Sequence, residues 1–260
     1  MLLFYDKPVP LDRNVHRTAK LKHAAGGFSF AKTTNFVPVA GVEFAAAGRE
    51  YPIVFSGSEV HTTVPVILVG LRRDENFFVD ADGQWQDSYV PAFVRRYPFV
   101  LAEKGDDQFT VCVDEAYPGF NTTDGEPLFD AEGREQPFLR NTLDFLREYQ
   151  GQMKRTQAFV RRLHELRLLT PKVVQVVPKN KSAFVMQGLQ IVDEQKLLQL
   201  DDQQVQTLFR SGELSWIYAH LLSLANLQRL TSRLDRQGHQ TAKPAAVTAT
   251  PRIRKRSRVN

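Results

Sequence analysis

The 260-residue sequence holds one cysteine, Cys112. That excludes an internal disulfide framework and any metal site needing two thiolates from one chain. A lone thiol suits a reducing compartment. Long apolar runs are also lacking. The longest, residues 64–71, is interrupted by Pro65 and Gly70, whereas a membrane helix needs about 20 apolar residues. The first six residues carry neither the basic region nor the long apolar stretch of a secretory signal. These absences point to a cytoplasmic protein. The six histidines form no H-x-H or H-E-x-x-H pattern, although His16 and His23 sit seven apart. No G-x-S-x-G elbow or P-loop is present, and Gly26-Gly27 lacks the third glycine of a dinucleotide fingerprint. No metal and no cofactor are expected.

Acidic residues are absent from the last 20 positions. Six of the 34 basic residues lie in 241–260, which has no acid, so the remaining 28 face 29 acidic residues in the body. The pI near 9.3 therefore describes a tail. Its run Arg252-Ile253-Arg254-Lys255-Arg256-Ser257-Arg258 offers non-specific charge to nucleic acid or anionic lipid, without interleaved aromatics to stack on bases. With few core-forming residues, 239–260 reads as a disordered basic tail. The body, 42% hydrophobic and 10% aromatic over the whole chain, has material for a substantial core.

What is present changes character along the chain. Residues 1–138 hold most of the Pro and Gly, with short β-branched and aromatic stretches at 51–55, 64–71, 77–79 and 109–113 that read as strands. Cys112 falls in the last of these and is expected to pack as a buried apolar residue. Two turns echo each other, Phe78-Val79-Asp80-Ala81-Asp82-Gly83 and Leu128-Phe129-Asp130-Ala131-Glu132-Gly133. So do Tyr51-Pro52-Ile53-Val54-Phe55 and Tyr97-Pro98-Phe99-Val100-Leu101. The echoes fit either a duplicated β unit or chance. From 139 the period becomes helical. A long amphipathic helix is predicted over 142–168 and ended by Pro171, then strands at 173–177 and 184–192 around a basic turn. A short helix from Asp193 follows, then one capped by Asp201 or Asp202 and ended by Gly212. The last helix carries the stripe Leu214, Ile217, Leu221, Leu224, Leu227, Leu230 and Leu234, with Trp216 and His220 on a second, packed face. The expected fold is α+β: one domain over 1–238, with a β-rich half at 1–138, covered by amphipathic helices in 139–238.

Candidate site residues are arginines among aromatics. Arg72 follows a strand, and Arg95 and Arg96 lie among Trp85, Tyr89, Phe93, Tyr97 and Phe99. An arginine fork that also stacks on rings can hold a carboxylate or phosphate. The alternative is ordinary packing, with pairing to Asp80, Asp82 or Asp87. If the site is catalytic, Asp80 or Glu43 would be the acid or base.

The block Gly70-Leu71-Arg72-x-x-x-Asn76-x-Phe78-Val79-Asp80-x-x-Gly83-x-Trp85, continuing Tyr89-Val90-Pro91-Ala92-Phe93-Val94-Arg95-Arg96-Tyr97-Pro98-Phe99, resembles the central block of the SapC family of bacterial proteins. The resemblance extends upstream through Val37-Pro38, Glu43-Phe44 and Tyr51 to Phe55. Downstream it takes in Val192-Asp193-Glu194 and Ile217-Tyr218-Ala219-His220, and it stops before the tail. The family's name comes from an operon for secreting a surface-layer protein. The resemblance therefore implies a non-catalytic accessory of a surface or secreted protein, or of a secretion component. It supplies no reaction, cofactor or catalytic residue. The rival expectation is an enzyme or binder of a small anionic ligand at Arg72, Arg95, Arg96, Tyr97, Tyr89, Trp85 and Asp80. Where family members often have a glycine between Leu71 and Asn76, this chain reads Arg73-Asp74-Glu75.

Overall fold

The computed structural model describes residues 3–22, 27–86, 88–103, 109–177 and 182–240. His23, Asp87, the basic turn read at 178–181 and the tail from 241 onward lie outside them. The architecture is α+β, with most strands in the first half and most helices in the second. In chain order the elements are β1 (Pro8–Pro10), β2 (Lys20–Leu21), β3 (Phe36–Pro38), α1 (Phe44–Ala47), β4 (Ile53–Ser56), β5 (Val64–Leu68), α2 (Ala92–Arg95), β6 (Phe99–Glu103) and β7 (Phe109–Asp114). They continue with β8 (Phe120–Asn121), β9 (Glu126–Pro127), α3 (Pro137–Glu165), β10 (Leu169–Val176), β11 (Phe184–Val192), α4 (Glu194–Leu197), α5 (Asp202–Arg210), α6 (Glu213–Ser223) and α7 (Asn226–Gln240). No helix among the described residues is long and apolar enough to cross a membrane.

The strands form a five-stranded sheet in the order β10-β11-β4-β5-β3, a three-stranded sheet β1-β7-β6 and a small β8-β2-β9 ribbon. The first two share one motif. In the larger, Val37 pairs with Ile67 and Ile67 with Ile53; in the smaller, Val9 pairs with Val113 and Val113 with Phe99. The next rung repeats the match, Pro38–Val66–Val54 against Pro10–Cys112–Val100. A constant shift in numbering relates the two hairpins, and it is the shift between the two Tyr-Pro echoes. The D-A-[DE]-G turns are equivalent too: Val79 bridges Trp85 as Phe129 bridges Glu135. Gly83 and Gly133 both take φ near +75° (75° and 78°), which glycine adopts without steric cost. A helix follows each turn, α2 in one unit and α3 in the other. The echoes are therefore two copies of one β unit, the second completed by β1 from the start of the chain. Residues 77–79 contribute this bridge rather than the strand their composition predicts.

Helix α3 starts at Pro137, whose fixed φ and missing N–H suit a first helical position. It ends at Glu165, beyond which Arg167 takes φ 52°. Pro171 does not end it but lies in β10, an edge strand, where an absent donor leaves no ladder bond unmade. Leu139, Leu143 and Leu146 on its first turns close a small core with Phe99, Val113 and Leu128. Tyr149, Phe159, Val160 and Leu163 join the main core with Ile53, Phe55, Ile67 and Trp216. The leucine stripe predicted as one helix is split into α6 and α7 by Leu224 and Ala225. Gly212 ends α5 as expected, taking φ 77° just past the C-cap and donating its N–H to Phe209 O at 3.0 Å, and it also leads into α6. Asp201 caps α5, its carboxylate accepting from Gln204 N at 2.8 Å. Cys112 is buried, and burial pushes its thiol pKa up.

Fully buried His220 joins sheet and helix. Strands β4 and β11 pair only at Leu189–Ser56 and Gln190–Phe55. Where they diverge, His220 Nδ1 donates to Ile53 O at 2.9 Å and Nε2 accepts from Val192 N at 3.0 Å. Ser223 Oγ accepts from Ile53 N at 2.9 Å. Side chains of α6 thus satisfy backbone groups that a longer ladder would have satisfied.

The loop after β5 explains two features of the central block. A side-chain carbon on Gly70 would lie 1.9 Å from Glu75 O, so no larger residue fits without moving backbone. Glu75 Oε2 accepts from Leu71 N at 3.2 Å and Arg72 N at 3.1 Å, and Asp74 sits at φ 60°. That left-handed conformation is the one a glycine adopts freely and an aspartate tolerates at a cost. Asp74→Gly is expected to raise the unfolding free energy by about 1 kcal/mol. Urea titration checks this, and an unchanged or lowered midpoint contradicts it.

Candidate functional site

The predicted site residues separate into several places. Trp85 is buried: its Nε1 donates to Tyr51 Oη at 3.0 Å, and Tyr51 donates to Tyr89 O at 2.7 Å. Asp80 closes its turn, accepting from Gln84 N at 2.8 Å and Gln86 Nε2 at 2.6 Å. Arg72 lies over the Phe184 ring, 4.9 Å from its centroid, and lines neither of the clefts beside Arg95 described next.

Arg95, Arg96, Tyr89, Tyr97 and Glu43 do gather, along the face of α3. Two clefts flank Arg95. One, about 270 Å³, is lined by Glu43, Tyr89, Arg95, Phe145, Tyr149 and Gln152 among others. The other, about 260 Å³, is lined by Arg95, Arg96, Tyr97, Tyr117, Phe138 and Phe145 among others. Arg95 and Phe145 belong to both, and the guanidinium lies 5.1 Å from the Phe145 centroid. Arg95 Nε donates to Val90 O at 3.1 Å. A guanidinium has five donors, and this bond uses one of them.

The walls are held by buried hydrogen bonds. Glu43, 6% exposed, accepts from Tyr89 Oη at 2.7 Å and Ala92 N at 2.8 Å on Oε1, and from Ala40 N at 3.0 Å on Oε2. Burial, then the neighbouring Glu43 charge, pushes the Tyr89 hydroxyl up to about 12, so Tyr89 keeps its proton and acts as a donor. On the other side, fully buried Asp114 accepts from Asp6 N, Lys7 N and Tyr97 Oη at 3.0, 2.9 and 3.1 Å. Arg96 lies over Phe93 at 4.0 Å and near Tyr149 at 5.4 Å and Tyr5 at 5.9 Å. Burial is the main cause that raises the pKa of Tyr5, Tyr97 and Tyr149.

Phe145, Tyr149 and Gln152, which α3 supplies, are absent from the sequence-based candidate set. Gln152 Oε1 is buried without a hydrogen-bond partner among the described residues. The 145, 149, 152 spacing, three or four residues, places the three on one helix face, the only sequence signal for them. Arg95 and Gln152 thus line the same cleft.

Neither the curated proteins nor the solved structures contain a match to this chain. Residues 11–230 match the family described as SapC. That span takes in the first β unit, the second apart from β1, the whole of α3 and every residue lining the two clefts, and it stops within α7 ahead of the basic run. On this evidence the chain belongs to the SapC family.

Proposed function

We propose that this chain is a non-catalytic, cytoplasmic accessory protein that assists the handling or secretion of a bacterial surface-layer or envelope protein, and that the groove along α3 seats a segment of that client. Family membership motivates the accessory role by association. The observation that carries the binding role is the exposed Arg95 guanidinium set against Phe145 in a groove also walled by Tyr89 and Tyr149. A simple anion would use the arginine alone. A peptide segment with an acidic side chain supplies a carboxylate for Arg95 and apolar surface for the aromatic walls.

A strain lacking the gene is expected to carry less surface-layer protein. Wild-type chain restores it, and Arg95→Ala, exposed and outside the cores, does not restore it while retaining its melting temperature. Unchanged surface protein in the deletion strain overturns the role. Full rescue by Arg95→Ala overturns the groove. A second reading, a binder of a small anion or an enzyme acting on one, is favoured by the 270 Å³ of space beside Glu43, Tyr89 and Arg95. It predicts that a free carboxylate such as citrate shifts the melting temperature of wild-type chain and not of Arg95→Ala.

A further inference from the structure

Outside the α3 groove, the clefts among the described residues include three above 400 Å³. One of about 720 Å³ mixes Asp74, Glu75 and Asp80 with Lys32, Arg233 and Arg236. Another of about 680 Å³ mixes Asp12, Glu132 and Glu135 with Arg13, Arg134 and Arg140. Each balances three acids against three bases. The third, about 430 Å³, does not: it is lined by Arg49, Arg229 and Arg233, with Glu50 as its one carboxylate and Phe78 and Leu230 as apolar wall.

We propose that this third cleft, between α7 and the turn after α1, is a binding seat for a phosphate group. Arg229 and Arg233 lie four apart on α7 and so share a face. Each guanidinium is anchored by one backbone acceptor, Arg229 Nη1 to Arg49 O at 3.3 Å and Arg233 Nη1 to Phe77 O at 3.1 Å. Arg233 also lies over the Phe78 ring at 4.2 Å. The anchors fix the groups in place, yet most of their five donors are left for a ligand. No carboxylate among the described residues forms an ion pair with any of the three arginines.

Three arginines thus line a cleft that has one carboxylate, Glu50, and an apolar wall. Burial, followed by the neighbouring Arg236 charge, holds the Arg233 pKa below its usual range, opposed in part by Glu50. A phosphate carries up to two charges and three strong acceptor oxygens, which match arginine forks. The chain after α7 adds Lys243, Arg252, Arg254, Lys255, Arg256 and Arg258 with no acid, so the sequence continues the same sign of charge. The phosphate can belong to a soluble phosphorylated molecule or to a lipid headgroup.

The test uses the full chain and Arg49→Gln/Arg229→Gln, both exposed positions. Titration calorimetry with inorganic pyrophosphate is one arm. Co-sedimentation with phosphatidylcholine vesicles doped with phosphatidylglycerol is the other. Wild-type chain is expected to bind at least one probe, and the double variant to bind it about tenfold or more weakly, since two charge-assisted contacts are lost. Sensitivity confined to pyrophosphate assigns a soluble ligand; sensitivity confined to vesicles assigns a headgroup. Binding that survives the double substitution places the affinity in the tail and overturns the seat. No binding of either probe overturns it as well. The client-handling role does not enter this measurement, so the two readings fail separately.

Discussion

Glu43→Ala is expected to lower the unfolding free energy by about 4 kcal/mol, because it strands buried donors that lose their acceptor. The three donors come from separate elements. Ala40 N belongs to the turn leading into α1, Ala92 N to the first residue of α2, and Tyr89 Oη to the loop before it. One carboxylate thus ties the α1 turn to the α2 turn, and the Arg95 groove lies on that junction. Glu43→Gln keeps the shape and can still accept on Oε1, but it turns an N–H toward Ala40 N–H, so about half the loss is expected. Urea unfolding followed by tryptophan fluorescence measures both variants. A loss under about 1 kcal/mol for the alanine variant would show that water replaces the carboxylate and that the junction does not depend on it.

The same junction shows which parts of the architecture could be read from residue order. Strands β4, β5 and β7 are legible because their β-branched and aromatic runs fill cores on the side chains alone. The start of α3 is not, because Pro137 has two meanings: it breaks a helix interior and favours a first turn. Pro171 is misread for the same kind of reason, since its missing N–H matters in a helix and not on the outer edge of β10. The break at Leu224 and Ala225 is hidden by a leucine stripe that continues through it.

For the site, proximity in sequence was a poor guide. Arg95 and Arg96 are neighbours, but consecutive residues on a helical turn point about 100° apart. Arg95 accordingly turns to Phe145 and Arg96 to Phe93 and Tyr149. The partners that complete the groove arrive from α3, and Glu43 from α1's approach. Such long-range meetings are settled by packing, which period and composition do not encode. The D-A-[DE]-G echoes are the converse case: a short local repeat that the pairing of whole strands turned into a repeated unit.

Acidification is expected to weaken the fold by about 3 kcal/mol through His220 alone. In the folded chain Nδ1 must carry the proton given to Ile53 O, and Nε2 must stay bare to accept from Val192 N. A second proton would set one N–H against another in a fully buried site. Burial is the main cause that lowers this pKa from 6.5 to about 4, opposed in part by the Ile53 bond. The unfolded chain therefore takes up the proton first as pH falls. The contribution is complete above about pH 6.5, shrinks by about 1.4 kcal/mol per pH unit below it, and is gone near pH 4. Carboxylates titrate over part of that range, so the comparison is with His220→Gln. That variant is less stable at pH 7, and its deficit relative to wild type should close as pH falls from 6.5 to 4. A deficit that stays constant with pH, read by urea unfolding at each pH, would show that the imidazole is held for its shape and not for its charge state.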